Sequence, residues 1–269
     1  MTELAASPVG GTLGVEVRGV DAGALQPQDV EAIGRLLDEH QVVFLPDQHL
    51  DDEQHLAFAH AFGAPYVHPL GRRDPRATGR VERIIDSPER PPYQDKWHTD
   101  VSWDPEPPTY GTLRAIELPP RGGDTIWVNM YAVFDALSAP MREFLATLQA
   151  LHTMGSMAAF RTKAGDELVD WAQANFPGAL HPLAPVHPGS GRRYLYANAE
   201  FTASIDGLTK GESDALLRHL ADVTANPNTH LRYRWTVGDL VIWDERCTQH
   251  FAVADYLPHR REMARIAVR

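Results

Sequence analysis

The stretch YGTLRAIELPPRGGDTIWV, residues 110–128, is the part of the sequence that most constrains the fold. Two strand-like runs, 110–117 and 124–128, flank a Pro-Pro pair and a Gly-Gly pair. Apolar runs bounded by turn residues predict short strands joined by a tight connection. Similar runs recur on both sides of this stretch. The other predicted strands are residues 13–20, 41–45, 193–197, 240–243 and 262–268.

Helical periodicity predicts four helices among these strands. They cover residues 27–40, 51–62, 133–151 and 210–223, and Asp51 or Asp52 is the expected N-cap of the second. The charged segment 71–79 is expected to be a mobile loop. Because strands and helices do not alternate regularly, a doubly wound parallel sheet is disfavoured. We predict a mainly β fold with helices (α+β), in which helices buttress a double-stranded β-helix (jelly-roll) core, and one domain over residues 1–269.

Composition excludes several classes of protein. A single cysteine, Cys247, allows no intramolecular disulfide, which fits a reducing compartment. The amino terminus lacks the pattern of a signal peptide, and no segment approaches the roughly 18 apolar residues of a membrane span. We therefore expect a cytoplasmic protein without membrane contact. The net charge of -11 disfavours nucleic acid as a partner, and no dinucleotide or Walker motif is present.

A possible metal site begins with the H-x-D motif of His98 and Asp100. On a strand, residues two apart project to the same side, so both could reach one ion, and His250 is a candidate third ligand. The motif alone is weak, since 13 histidines give many chance pairings and a surface histidine beside a capping aspartate is the simpler interpretation. The other histidines are expected near turns or in polar surroundings, with His55 and His60 partly exposed.

Several motifs together resemble the taurine dioxygenase family, which also includes alkylsulfatase and aryloxyalkanoate dioxygenases. They stand in the family's order, and the resemblance runs from about Gly14 to Val268. The motifs are Trp97-His98-Thr99-Asp100-Val101, Gly122-Gly123-Asp124-Thr125, Trp243-Asp244, Thr248-Gln249-His250 and Asp255-Tyr256. The resemblance implies an enzyme that holds Fe(II) on His98, Asp100 and His250 and uses 2-oxoglutarate and O2 as co-substrates.

Two arginines near the carboxyl end complete the pattern. Arg261 and Arg265 are four residues apart, so on a strand both would face one side. By resemblance, Arg261 binds the distal carboxylate of 2-oxoglutarate with help from Thr125, and Arg265 binds the anionic group of the substrate to be oxidised (the prime substrate). Without the resemblance, solvated basic residues would be the favoured interpretation.

The resemblance also assigns residues to the prime-substrate site. His68 and the backbone N–H of Val101 match groups that contact the substrate anion, and Phe201 matches an aromatic wall, although a lone Phe is more often a core residue. Two positions depart from the taurine enzyme. Gln94 replaces an asparagine and Gly71 replaces a tyrosine, which puts taurine itself in doubt.

We therefore predict a dioxygenase that hydroxylates a small organic anion, an alkylsulfonate such as taurine or an alkyl sulfate, with release of sulfite or sulfate. A carboxylate such as an aryloxyalkanoate is the alternative substrate. Less favoured alternatives are a zinc hydrolase on the same ligands and a non-catalytic jelly-roll binding protein. A homo-oligomer, dimer or tetramer, is expected by resemblance.

Overall fold

The computed structural model describes residues 4–73, 80–93, 95–155 and 166–269. The strands are β1 (Ala5–Pro8), β2 (Val15–Arg18), β3 (Val42–Leu45), β4 (Glu82–Asp86), β5 (Tyr110–Glu117), β6 (Thr125–Asn129), β7 (Gln149–His152), β8 (Ala179–Pro182), β9 (Thr202–Ile205), β10 (His230–Tyr233), β11 (Leu240–Asp244), β12 (Thr248–Ala252) and β13 (Arg261–Val268). The helices are α1 (Pro27–His40), α2 (Asp52–His60), α3 (Met130–Asp135), α4 (Ala139–Leu145), α5 (Asp166–Asn175) and α6 (Lys210–Thr224).

Two facing sheets carry the site. The larger has the strand order β1-β2-β3-β11-β5-β13-β4, and the smaller has the order β10-β6-β12. A third sheet, β8-β7-β9, lies beside them. Strand β5 is buried from residue 111 to residue 115, because its sheet is covered on both faces. The long strand predicted at 110–117 is thus an interior strand of the larger sheet.

The core between the two sheets is aromatic. Trp127 from the smaller sheet packs edge-on against Phe44 and Trp243 of the larger, at ring-centroid distances of 5.6 and 5.8 Å. Met263 of β13 joins the same cluster. Each such side chain contributes about 1.5–3 kcal/mol by leaving water. These residues therefore fix the distance between the sheets.

Helices α1 and α2 cover the outer face of the larger sheet. Ile33 and Leu37 of α1 pack with Val43 and Leu45 of β3. The side chain of Asp51 accepts a hydrogen bond from Gln54 N–H at the start of α2, as the cap prediction requires. No helix in the described ranges has both the length and the apolar character needed to cross a membrane.

The predicted helix at 133–151 is wrong. Helix α3 ends at Asp135, α4 occupies residues 139–145, and residues 149–152 form strand β7. Pro140 lies in the first turn of α4, where its missing N–H costs nothing, but inside one long helix it would remove a hydrogen bond and clash with the preceding turn. The apolar periodicity of this region reflects three short elements that bury the same core.

The predicted strand at 193–197 is also wrong. Only an isolated bridge, Val186 to Arg193, is found there. Leu195 N–H donates to Met130 O and Tyr196 N–H donates to Leu183 O, so neighbouring residues bond to two different segments and no ladder forms. Their alternating pattern is satisfied by core packing alone.

The other strands and helices that were predicted are present at or near the predicted residues. The mixed architecture of strands and helices is therefore confirmed. Of the loop predicted at 71–79, residues 74–79 lie outside the described residues, and Gly71 closes a 3-10 turn. His55 was expected to be partly exposed and is fully buried, with Nε2 2.9 Å from Thr112 Oγ1. His152 and His187 are buried too, and His187 lies beside the turn at residues 188–190, as expected.

Candidate metal centre and active site

Backbone pairing brings the two predicted metal histidines together. His98 N–H donates to His250 O at 3.1 Å, and His250 N–H donates to His98 O at 2.9 Å. His250 lies on β12, so this reciprocal pair adds residue 98 to the edge of the smaller sheet. Asp100 follows in the next turn, which returns its carboxylate towards both rings.

The three side chains form a compact, buried set of donors. One ligand atom from each of His98, Asp100 and His250 lies within 4.8 Å of the others. Asp100 Oδ1 is 3.6 Å from His98 Nε2 and 3.9 Å from His250 Nε2. His98 Nδ1 is 2.8 Å from Lys96 O, which fixes the proton on Nδ1 and leaves the Nε2 lone pair free. His98 Nε2 is buried without a hydrogen bond, as fits a group that holds a metal ion.

Charge keeps Asp100 ionised. Burial opposes ionisation, but Arg265 and the two histidines outweigh it and hold the pKa of Asp100 well below its ordinary value. Burial, with His98 beside it, lowers the pKa of His250 to about 3. Two imidazoles and one carboxylate are a donor set that suits a divalent transition metal.

A second carboxyl group, which the sequence analysis missed, lies behind Asp100. Glu245 Oε2 accepts a hydrogen bond from Asp100 N–H at 3.1 Å. Burial and the charge of Asp100 raise the pKa of Glu245 well above its ordinary value. A Cβ at Gly111 would lie 2.7 Å from Glu245 Oε1, so glycine is needed there. The sequence shows Glu245 inside the segment Trp243–His250, two residues after Trp243, but it does not show that the side chain is buried.

Arg265 lies closer to the metal ligands than the sequence suggested. Its Nη2 atom forms an ion pair with Asp100 Oδ2, and its Nη1 atom donates to Glu82 Oε2 at 2.7 Å. Burial opposes the charge, but Asp100 and then Glu82 raise the pKa of Arg265. The Nε atom is buried and has no hydrogen bond. Arg265 therefore retains one donor for a further anion.

Arg261 faces the same cavity from deeper in the protein. Its Nε atom donates to Gly123 O at 3.1 Å, and its guanidinium carbon is 5.9 Å from the centre of the Tyr256 ring. Burial lowers the pKa of Arg261, and Tyr256, Asp86 and Asp124 act in the opposite direction. A Cβ on Gly123 would lie 3.1 Å from Arg261 Cδ, so glycine at position 123 leaves room for the arginine. A buried guanidinium suits a carboxylate ligand.

One cavity connects these groups. Thr125 contributes a hydroxyl that accepts a hydrogen bond from Trp235 Nε1 at 3.0 Å. Burial and then Glu82 raise the pKa of Tyr93 to about 12, so its phenol remains protonated. The lining residues are Ile84, Asp86, Pro92, Tyr93, Asp100, Leu113, Thr125, Trp127, Trp243, His250, Ala252, Arg261 and Arg265. The cavity is therefore lined by two of the metal ligands, Asp100 and His250, together with Arg261.

Comparison with known proteins shows which family this chain resembles. The family profile described as "Taurine catabolism dioxygenase TauD, TfdA family" matches residues 5–267. The chain belongs to this family. An alpha-ketoglutarate-dependent sulfate ester dioxygenase of Pseudomonas putida is 34% identical over 99% of this chain and 89% of the relative.

Other members of the family are similarly close. An alpha-ketoglutarate-dependent 2,4-dichlorophenoxyacetate dioxygenase of Cupriavidus pinatubonensis is 31% identical over 90% of this chain and 89% of the relative. The crystal structure of AAD-2 in complex with Mn(II) and N-oxalylglycine aligns with a TM-score of 0.83 and 26% identity, covering 99% of this chain and 97% of that one. The predicted class of enzyme, a dioxygenase dependent on 2-oxoglutarate (α-ketoglutarate), is thereby confirmed.

In this member of the taurine catabolism dioxygenase family, the residues predicted to bind the prime substrate lie in or next to an apolar cluster beside the metal ligands. The rings of His98 and Phe201 are 6.5 Å apart, and those of His68 and Trp103 are 5.8 Å apart. The cluster consists of Val101, Trp103, Met154 and Ala172, with Tyr66, Leu70, Trp171, Phe176 and Phe201 packed against it. Gln94, also predicted for this site, lies outside the described residues.

Proposed function

We propose that the protein is an Fe(II)- and 2-oxoglutarate-dependent dioxygenase that hydroxylates an apolar organic anion, an alkyl sulfate or alkylsulfonate. The observation that carries the proposal is the pair of buried arginines on one face of β13, both lining the cavity of the metal ligands. Two cations in one cavity suit two anions, and 2-oxoglutarate accounts for one of them. The strand order of the facing sheets supports a jelly-roll core within one domain, residues 1–269. We also propose that the protein is cytoplasmic and that it forms a homo-oligomer.

Iron is the metal we assign to the site. His98, Asp100 and His250 would hold it, because two histidines with one carboxylate are a donor set that suits iron in oxygen chemistry. When bound, iron supplies the oxidising chemistry that couples conversion of 2-oxoglutarate and O2 to succinate and CO2 with hydroxylation of a C–H bond. Lys96 O fixes the tautomer of His98, and Glu245 fixes the Asp100 backbone.

Arg261 and Thr125 serve the co-substrate in this proposal. The Arg261 guanidinium makes charge-assisted bonds to the distal carboxylate of 2-oxoglutarate, and the Thr125 hydroxyl adds one more. Trp127 and Trp243 wall the cavity with apolar surface and exclude water. The protein's part is thus to orient the co-substrate from the end remote from its keto acid group.

Arg265, His68 and the Val101 N–H serve the prime substrate. Arg265 Nε is a buried donor without a hydrogen bond, and the apolar cluster around Val101 and Phe201 offers surface to a hydrocarbon chain. At position 71, glycine leaves open the space that a tyrosine would fill. We therefore propose that chains longer or more apolar than taurine are preferred.

Release of the anion follows from the position of attack. Hydroxylation of the carbon that bears a sulfate ester oxygen places a hydroxyl and the ester on one carbon. Collapse of that product gives an aldehyde and sulfate, and the corresponding sulfonate gives an aldehyde and sulfite. A carboxylate substrate is the second candidate, because the 2,4-dichlorophenoxyacetate dioxygenase named above is 31% identical. A metal-dependent hydrolase and a non-catalytic binding protein find less support, since neither uses a second buried arginine.

We expect organic anions to be turned over in preference to their neutral analogues. The test is succinate release with Fe(II), 2-oxoglutarate and a panel of taurine, hexanesulfonate, hexyl sulfate, 2,4-dichlorophenoxyacetate and 1-hexanol. Hexyl sulfate or hexanesulfonate should exceed taurine in kcat/KM, and 1-hexanol should be inert. Equal turnover of 1-hexanol and hexyl sulfate would refute the anion site. Taurine as the best substrate would refute only the inference from Gly71.

The same assay tests Arg265. In Arg265→Ala the KM for the best anion should rise about 10- to 150-fold, because a charge-assisted hydrogen bond contributes about 1.5–3 kcal/mol. The KM for the co-substrate, 2-oxoglutarate, should stay within about twofold. Metal content is measured in parallel, because Arg265 also pairs with Asp100. An unchanged KM for the anion, at normal metal content, would contradict the assignment.

A further inference from the structure

Val101 has an unusual backbone conformation next to the metal ligand Asp100. Its φ of 51° is in the left-handed region, where a β-branched side chain is strained. The residue is buried, and its N–H has no backbone acceptor among the described residues. Strain of this kind persists only where the surroundings enforce it, and it is found where a backbone group must point at a ligand. The surroundings of Val101 therefore carry information about the site.

A polar network lies directly behind this turn. Ser102 Oγ is 2.9 Å from His152 Nδ1, and Asn198 Nδ2 donates to Ser102 Oγ at 3.1 Å. All three side chains are buried. They come from three distant segments, the turn after Asp100, strand β7 and the segment before β9, so the network ties these segments together.

The direction of the hydrogen bonds is fixed by chemistry. The Asn198 amide nitrogen can only donate, so Ser102 Oγ accepts from it and has its own proton left for His152. Burial, with His181 nearby, lowers the pKa of His152 to about 3, so the ring is neutral near pH 7 and Nδ1 can accept that proton. Each bond thus has a donor and an acceptor, which is the condition for a buried network to be rigid.

The hydrogen-bond network extends to Phe201, the residue predicted to form an aromatic wall of the substrate site. Asn198 Oδ1 accepts a hydrogen bond from Phe201 N–H at 2.8 Å, and Phe201 O accepts one from Thr153 N–H at 2.8 Å. Thr153 directly follows His152. One asparagine is therefore joined to both the Val101 turn and the backbone of Phe201.

We propose that Ser102, His152 and Asn198 are positioning residues for the prime substrate, which hold the Val101 N–H and the Phe201 ring in fixed relation to the metal ligands. The inference rests on the proposed function, since it needs an anion that Val101 N–H can bind. None of the three residues touches the metal ligands' donor atoms or lines the cavity of Arg261. They should therefore affect the prime substrate and leave 2-oxoglutarate unaffected.

Two substitutions of His152 separate hydrogen bonding from packing. The His152 ring stacks on Tyr196 at a centroid distance of 5.3 Å. His152→Phe keeps the stacked ring and loses the bond to Ser102. His152→Asn places an amide where Nδ1 was, keeps the bond and loses the ring. With the best anion of the panel as substrate, we expect His152→Phe to raise the KM for that anion about fivefold or more. We expect His152→Asn to leave this KM nearly unchanged but to lower the melting temperature more than His152→Phe does. The reverse order would overturn the proposal.

A matched pair of serine substitutions provides the control. Ser213 is as buried as Ser102, and its Oγ accepts a hydrogen bond from Ile205 N–H at 2.9 Å. We expect Ser102→Ala to raise the KM for the anion with the KM for the co-substrate unchanged, and Ser213→Ala to change neither. Equal effects of the two serine substitutions on the KM for the anion would overturn the proposal. If Ser102→Ala does not fold, the two His152 variants test the proposal instead. Failure of the wild type to turn over any anion would instead refute the proposed function, and this inference with it.

Discussion

Replacement of Asp100 by alanine is expected to lower 2-oxoglutarate turnover by a factor on the order of 1000 or more, as loss of one member of a catalytic unit generally does. Asp100 is the only carboxylate of the His98–Asp100–His250 set, and its loss leaves two imidazoles for the metal. It also removes one of the two carboxylate partners of Arg265, which adds electrostatic repulsion to any cation in the site. The measurement is succinate release with added Fe(II), together with metal content after dialysis.

Asp104→Ala is the matched control. Asp104 is buried four residues away and accepts a hydrogen bond from the Tyr66 hydroxyl at 2.9 Å, but it is not part of the set of metal donors. A comparable loss of stability without loss of bound iron is expected for this variant. Full activity in Asp100→Ala would disprove the assignment of the metal ligands.

The second large effect is expected at Arg261. Arg261→Ala should raise the KM for 2-oxoglutarate about 10- to 150-fold, because a charge-assisted bond to a buried carboxylate contributes about 1.5–3 kcal/mol. The KM for the prime substrate should change far less. Initial rates at varied concentrations of the co-substrate, with the prime substrate saturating, give the value.

The neighbouring Arg260 provides the control for charge. Arg260 pairs with Glu117 and Glu262 at the protein surface, outside the cavity, so Arg260→Ala removes the same charge without touching the proposed site. Its KM for 2-oxoglutarate should equal that of the wild type. If Arg261→Ala behaves in the same way, Arg261 does not bind the co-substrate.

Some elements were predicted correctly from local sequence signals. Helix α1 and strand β5 occupy the predicted residues, because a strong amphipathic period and a run bounded by turn residues decide them locally. The region 133–151 and the segment 193–197 failed for different reasons. The first is divided by Pro140, a local signal that the apolar periodicity obscured. In the second, the backbone hydrogen bonds of Leu195 and Tyr196 go to distant partners, which a local pattern does not contain.

The candidate site divides along the same line. The H-x-D motif, His250 and the two arginines were predicted because family motifs record them. Glu245, Glu82 and the Ser102–His152–Asn198 network were missed, because burial between segments far apart in the chain brings these groups together. The contacts of His152 with Tyr196 and Ser102, on which its proposed role rests, are of this kind.

The pairing of β13 with β4 also bears on how the protein folds. Arg265 and Glu82 face each other across these strands although 183 residues separate them, and Thr99 reaches Thr248 O across 149 residues. Contacts at such separations are slow to form, because closing a long loop costs entropy before any contact offsets it. The metal donors and both arginines depend on these late contacts. During refolding, the ability to bind metal should therefore appear in the slowest phase, after the local helices have formed.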